Sequence, residues 1–187
     1  MILPIYLYGS PVLRKEASLI DIQTAEKEKI AALFKDMYET MKHADGCGIA
    51  APQVGKSLRM LIVDGSDFED KFPELKEFYR EMINPEFVEK SEETSTYSEG
   101  CLSLPNLDAD IVRPKKIVVK YFDKDFQEHT ETFDDFASRM VQHEMDHLDG
   151  TVFTDHASPI RRKMLEGKLR GISKGCVRTH YKVKLEK

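Results

Sequence analysis

Two histidines four positions apart, His143 and His147, lie in the stretch QHEMDHLDG and constrain this chain more than any other feature. In a helix, residues i and i+4 stand one above the other, so both imidazoles point the same way. Phe136 and Met140 precede them on roughly the same stripe, which turns the histidines toward an apolar interior. Satisfied core histidines are the plainer reading. Glu144 between them, however, completes HExxH, a pattern in which two imidazoles share one metal ion and the carboxylate acts as general base. Glu144 projects about 100° away from His143 around the helix, within reach of a water on the metal without being a ligand. A metal lowers the pKa of its bound water toward ~7, and the carboxylate takes the proton and returns it to a leaving amine. The pattern therefore points to hydrolysis of an amide, with metal-bound hydroxide as nucleophile and Glu144 as general acid/base.

A catalytic site of this kind needs a third protein ligand and one open position. The extended pattern HExxHxxGxxH would place it where Phe153 stands, although Gly150 is in place. Glu166, which follows His147 by 19 residues in the basic context LEGKLRG, is a second option. The third is Cys101 in EGCLSLP, whose thiolate would be a strong soft ligand.

The helix bearing the histidines is predicted to be capped at Asp134 or Asp135, to run to about Leu148 and to stop at Gly150. Thr24–His43 is a second helix, with Ile30, Leu33, Phe34, Met37 and Met41 at helical spacing behind caps at Asp21 or Thr24. Gly46, Gly48, Pro52 and Gly55 then make DGCGIAAPQVG a shaped loop. Glu92–Ser98 reads as a polar connection, whereas Ile111–Phe122 and Phe126–Phe133 predict a hairpin of two strands around Asp123-Lys124-Asp125. Pro159 opens a last helix ending near Gly171. Strands gathered between helices predict an α+β fold rather than alternating α/β.

A chain of 187 residues, 41% hydrophobic, can bury roughly 70% of its unfolded surface, so one domain over 1–187 is expected without disulfide staples. Three cysteines, Cys47, Cys101 and Cys176, are an odd and sparse set that a reducing compartment keeps as thiols. The longest apolar runs, such as Met60–Val63, fall far short of the ~20 residues of a membrane helix. The start, MILPIYLYGSPVLR, lacks the basic leader and cleavage site of a signal peptide. No membrane partner and a cytoplasmic location are the expectation. Charge is uneven: Arg161–Lys187 holds 10 Lys/Arg against 2 Asp/Glu, which leaves −13 of the net −5 on residues 1–160. Such a stretch reads first as the solvated face of a terminal helix and second as a site for an anionic partner.

Three motifs occur in order: GCGIAAPQ at Gly46–Gln53, EGCLS at Glu99–Ser103 and QHEMDH at Gln142–His147. Together they resemble the peptide deformylase family, whose pattern is GxGhAAxQ, EGChS and HExDH at about these separations. The likeness runs from residue 1 to roughly 170, and the ordered triplet is far more specific than HExxH alone. The resemblance implies antiparallel β-sheets packed around a central helix that carries the metal histidines, with helices before and after. It implies removal of the formyl group from the N-terminal formyl-methionine of newly made proteins, releasing formate. It assigns Cys101, His143 and His147 as metal ligands and Glu144 as general base. Gln53, through its side-chain amide, and Leu102, through its backbone N–H, become donors to the oxyanion. Fe²⁺ is the implied natural ion, with Ni²⁺, Co²⁺ or, less actively, Zn²⁺ as substitutes, all of which suit thiolate plus imidazole.

Gly46 and Gly48 need no role beyond a turn. Small side chains there would also let a substrate backbone lie against the loop as an added strand, with Gly48 and the Cys47 backbone as contacts. Met140 and Ile49 are the suspects for the methionine pocket. Glu99 and Gln142 are expected to orient metal ligands, and Asp146 to pair with Arg113 or Arg139. The likeness departs at Cys47, where an aliphatic residue is more usual, and at Asp108, where some relatives carry an Arg near the bound peptide. N-formylmethionyl peptides emerge at the ribosome, so the basic stretch from about residue 161 is expected to permit transient ribosome contact. The rivals are a zincin endopeptidase and a closed structural metal module.

Overall fold

Met60–Asp64 is a run of five buried residues. Leu61 and Val63 pack to one side and Met60 and Ile62 to the other, the alternation of a strand covered on both faces. The computed structural model describes residues 1–187. Its strands are β1 (Ile5–Tyr6), β2 (Gly48–Ala50), β3 (Met60–Asp64), β4 (Tyr79–Lys90), β5 (Thr94–Cys101), β6 (Leu104–Pro114), β7 (Lys116–Phe122), β8 (Glu128–Asp134) and β9 (Val183–Lys184). The helices are α1 (Lys27–His43), α2 (Asp135–Leu148) and α3 (Pro159–Ile172).

Five strands form one antiparallel sheet in the order β2-β3-β4-β7-β8. One face takes Phe34, Met37 and Met41 of α1 against Met60, Ile62 and Ile83. The other takes Met140, Val141, Met145 and Leu148 of α2 against Leu61, Val63, Val119 and Phe133. Each such side chain stabilises the fold by ~1.5–3 kcal/mol. The histidine helix is thus an inner element of a mixed α+β fold, as the sequence predicts.

A second, two-stranded ribbon, β5 with β6, turns Leu104, Leu107, Ala109 and Ile111 toward Leu165, Leu169 and Ile172 of α3. After α3 the chain doubles back, and β9 pairs in parallel with β1. No helix is long and apolar enough to cross a membrane.

Several boundaries differ from expectation for local reasons. The stretch Ile111–Phe122 is two strands divided after Pro114, which has no N–H: Lys115 N still donates to the Glu93 carbonyl of the ribbon at 2.8 Å, while its own carbonyl accepts from Asp135 N at 2.9 Å beside the large sheet. This break moves the chain from the ribbon to the large sheet. Glu92–Ser98 is mostly strand β5, polar in sequence because half of its side chains face solvent. The strand expected from Phe126 begins at Glu128, since Phe126 has φ +64° in a turn whose Asp123 carboxylate accepts from Asp125 N and Gln127 N. The helix expected from Thr24 begins at Lys27, because Asp21 ties Gln23 N and Thr24 Oγ1 into a turn. The loop Asp45–Gly55 contains the edge strand β2. Helix α2 matches closely, with Asp134 as cap and Gly150 at φ +70° beyond its end.

Candidate active site

The ligand atoms of Cys101, His143 and His147 all lie within 4.8 Å of one another. Cys101 Sγ is 3.3 Å from His147 Nε2, and the two imidazole centroids are 5.3 Å apart. Cys101 closes β5 while the histidines share one face of α2, so the meeting depends on how the ribbon is held against the helix. A buried charge network holds it. Glu99 of β5 accepts from Arg113 Nε at 2.7 Å, Arg113 Nη2 at 2.9 Å, Arg139 Nη1 at 2.6 Å and His143 Nδ1 at 2.8 Å. Arg113 of β6 also donates to Asp146 of α2 at 2.8 Å, and Arg139 to the carbonyls of Ile111 and Ser95. Burial alone would raise the Glu99 pKa, but the hydrogen bonds from His143 and Arg113 prevail and hold it well below the usual carboxylate range. Glu99 thereby fixes the His143 ring so that Nε2 faces Cys101.

The expected roles divide on this network. Glu99 orients His143 as expected, and Asp146 takes Arg113 rather than Arg139 as its partner. Gln142 touches neither histidine: its amide donates to the Pro114 carbonyl at 2.8 Å and to Ser138 Oγ at 2.9 Å, clamping α2 to the end of β6. Phe153 stacks on His143 at 5.9 Å, and Glu166 is exposed on α3, away from the trio.

The donor set fits a divalent cation. Burial works to raise the Cys101 thiol, but the two imidazoles beside it bring it down to about 5, so the sulfur is ready as a thiolate. Thiolate plus imidazole is the chemistry of iron and zinc-type sites. Cys47 is no rival, because burial and the Glu144 carboxylate push its thiol up to about 12. Glu144 is buried beside the trio, and its Oε2 has no protein partner. Loss of solvent raises its pKa to about 7, against the opposing pull of His143 and His147. Its carboxylate lies so close to Gly48 that a Cβ there would fall 2.4 Å from Oε1.

Gln53 sits in a short 3-10 turn after β2, with Ala50 N donating to Oε1 at 2.9 Å. That bond directs Nε2 toward Cys101 Sγ at 3.5 Å and Ser103 Oγ at 3.2 Å. Leu102 occupies the tight turn between β5 and β6, and its N–H donates to no protein acceptor. Gln53, Cys101, Leu102, His143 and Glu144 line one cavity of about 880 Å³, together with Cys47, Gly48, Phe68, Phe136 and Met140, while His147 lies buried behind it. Ile49 does not line it: the side chain is fully buried in the α1 core, because β2 alternates and turns it to the opposite face. Asp108 lies at the rim, 77% exposed. The sequence reading missed Phe68, and it missed Arg178–Tyr181, which come from the far end of the chain and line the same cavity.

The model of the polypeptide deformylase family matches residues 2–163. The chain belongs to this family. Peptide deformylase of Cytophaga hutchinsonii is 44% identical over 184 residues, covering 98% of this chain and 97% of that protein. The crystal structure of peptide deformylase from Thermus thermophilus superposes with a TM-score of 0.81 at 32% identity, covering 94% of this chain and 99% of that one. A Met-Ala-Ser bound structure of peptide deformylase from Acinetobacter baumannii gives 0.78 at 33% identity, covering 83% and 98%. As a peptide deformylase the chain is a metallo-hydrolase that acts on N-terminal formyl-methionine.

Proposed function

We propose that the cavity binds the N-formyl-methionyl end of a nascent peptide, that Cys101, His143 and His147 hold the metal ion, and that Glu144 moves the protons of formyl-amide hydrolysis. The observation that carries this reading is the buried Glu144 carboxylate, whose Oε2 has no hydrogen-bond partner, beside the Cys/His/His trio in an open cavity. A bound divalent ion supplies Lewis-acid polarisation and activates water at neutral pH. Glu144 accepts a proton from the attacking water at Oε2 and delivers it to the departing amine. Gln53 Nε2 and Leu102 N donate to the formyl oxygen as its charge grows; the Gln53 amide is held for this by Ala50. Ser103 Oγ steadies the same amide.

Strand β2 is an edge of the large sheet, and Cys47 and Gly48 line the cavity beside it. A peptide added along that edge brings its formyl end to the trio and leaves Phe136 and Met140 for the methionine side chain. The Met-Ala-Ser bound relative supports this reading, because its ligand has the chemistry of a deformylated peptide. We propose Fe²⁺ in the cell and a cytoplasmic site of action, where such peptides arise. The exposed Arg162, Lys163, Lys168 and Arg170 of α3 are the cations we propose for transient ribosome contact. Residues 1–187 form one domain in this reading, since the stretch after 161 completes both the ribbon core and the cavity.

The test is formate release from formyl-Met-Ala-Ser by the metal-loaded protein, with unblocked peptides left uncut internally. Glu144→Ala should keep its metal and lose about 10²–10⁴-fold in turnover. Full turnover by that variant, or cleavage of internal peptide bonds, would remove the reading.

A further inference from the structure

Arg178, Thr179, His180 and Tyr181 line the active-site cavity although they lie beyond residue 163, where the family match ends. This segment is fixed at several points. Ile5 N donates to the Lys182 carbonyl and Leu7 N to the Lys184 carbonyl, each at 2.9 Å, as β9 docks on β1. Glu186 N donates to Ser10 Oγ at 3.1 Å. Across the cavity, Tyr181 Oη donates to the Leu102 carbonyl at 2.8 Å, and Asn106 Nδ2 donates to the Arg178 carbonyl at 3.2 Å. Thr179 Oγ1 donates to the Tyr181 carbonyl at 2.7 Å, which tightens the turn between them. The backbone that carries Arg178 is therefore a wall of the cavity, held by the ribbon turn on one side and β1 on the other.

The charges at the cavity mouth distinguish Arg178 from its neighbours. Asp45 lies 3.2 Å from His180 Nε2, and Asp108 lies 3.9 Å from Arg161 Nη2, which also donates to the Asp108 carbonyl at 3.0 Å. Arg139 is buried on Glu99. Arg178 is the remaining basic side chain of fixed charge in the lining, and it is exposed with no carboxylate in ion-pair range. The exposed Asp45, Asp108 and Arg178 mark the rim, while the metal-binding trio is half-buried to buried. An extended peptide advances ~3.3 Å per residue, so a chain whose first residue reaches the trio has its second and third residues about 3 and 7 Å farther out, toward the rim.

We propose that Arg178 is a specificity-determining residue. Its guanidinium receives the carboxylate of an aspartate or glutamate at the second or third position of the incoming peptide, and residues 178–181 form the wall along which that peptide leaves. The proposal rests on the deformylase reading and extends it from the formyl end to the downstream residues. An arginine with its fork of donors free can take a carboxylate bidentately.

The experiment measures formate release by the metal-loaded full chain from C-terminally amidated formyl-Met peptides carrying Asp, Ser or Lys at the second or the third position. The expected wild-type result is a kcat/KM for Asp about two- to fivefold above that for Lys, as for a solvent-exposed ion pair, shrinking as salt is raised. Arg178→Ala should bring the Asp-to-Lys ratio to near one, and Arg178→Glu should invert it. Formate release with a wild-type ratio near one, or with the same ratio in all three proteins, overturns the role of Arg178 and leaves the deformylase reading standing. Absence of formate from every peptide overturns both.

Discussion

Replacing Glu99 by alanine should damage the protein twice, in stability and in metal affinity. The carboxylate is 6% exposed and takes four hydrogen bonds from Arg113, Arg139 and His143. Counted singly at roughly 1.5–3 kcal/mol each, four charged hydrogen bonds would exceed what the site can lose, because the donors keep other partners. Arg113 retains Asp146, and Arg139 retains the Ile111 and Ser95 carbonyls. The governing figure is therefore the ~3–5 kcal/mol for removing one member of a buried ion pair. For a chain of this size that lowers Tm by about 6–20 °C. The freed His143 ring also loses the acceptor that sets its tautomer, which should weaken metal binding by about 10–100-fold. Urea unfolding of the apo proteins measures the first loss and competitive chelator titration the second. The exposed Glu92→Ala should move neither, staying within about 0.5 kcal/mol. If Glu99→Ala unfolds within 1 kcal/mol of wild type and binds metal equally well, the idea that this carboxylate ties the ribbon to α2 is wrong.

Gln53→Ala should lower kcat by about 10²–10³-fold with metal content unchanged, as for loss of one oxyanion donor; an unaltered kcat would assign that role elsewhere. Gly48→Ala places a methyl 2.4 Å from Glu144 Oε1 and should cut turnover by about 10²–10⁴-fold without metal loss. Gly46→Ala crowds the flexible end of Leu102 at 2.7 Å, with Met41 at ordinary contact, and should cost far less, so equal losses in the two would count against displacement of Glu144. Asp155 feels burial that raises its pKa, but Arg14 and the Val152 N–H outweigh it and lower the pKa. A depressed carboxylate stabilises the fold above its unfolded pKa and loses that contribution as pH falls through the folded pKa. Arg14 is 42% exposed and the pair is screened, so Asp155→Asn should cost at most about 1 kcal/mol at pH 7. The difference from wild type should begin to shrink in thermal melts once the pH drops below the ordinary aspartate pKa of ~3.9, and a difference that grows on acidification would reverse the assigned sign.

Helix α2 was legible in the sequence almost to the residue, because its cap, its apolar stripe and its stop all lie within the helix and its flanks. Met140, His143, Glu144 and His147 announce themselves by spacing alone. Cys101 was legible only as a member of a motif, since nothing near it states what it faces. Its place beside the histidines depends on Glu99 meeting Arg113 and His143, and on Arg113 meeting Asp146, contacts made between three separate elements. The same holds for Pro114: its effect on a strand is local and foreseeable, but the change of sheet that follows is set by tertiary pairing.

The C-terminal stretch shows where pattern reading fails in the opposite direction. A concentration of Lys and Arg reads as a solvated arm, and most of its charges are indeed exposed. Charge is only part of what anchors it: beside Arg161 on Asp108 and Lys184 on Tyr6 stand uncharged, distant contacts, among them a tyrosine hydroxyl on a carbonyl 79 residues away, an asparagine amide, and two parallel strand residues. None of these has a periodicity, because each partner belongs to another part of the chain. Yet the anchored carbonyl belongs to Leu102, whose N–H we propose as a donor to the oxyanion. Tyr181 therefore holds the turn that carries this donor, and loss of the tail would loosen that turn as well as open the cavity wall. A truncation after Ile172 consequently tests catalysis as much as ribosome contact. Charge reversal on the outer face of α3 is the cleaner way to ask about the ribosome, because it leaves Tyr181 and the Leu102 turn in place.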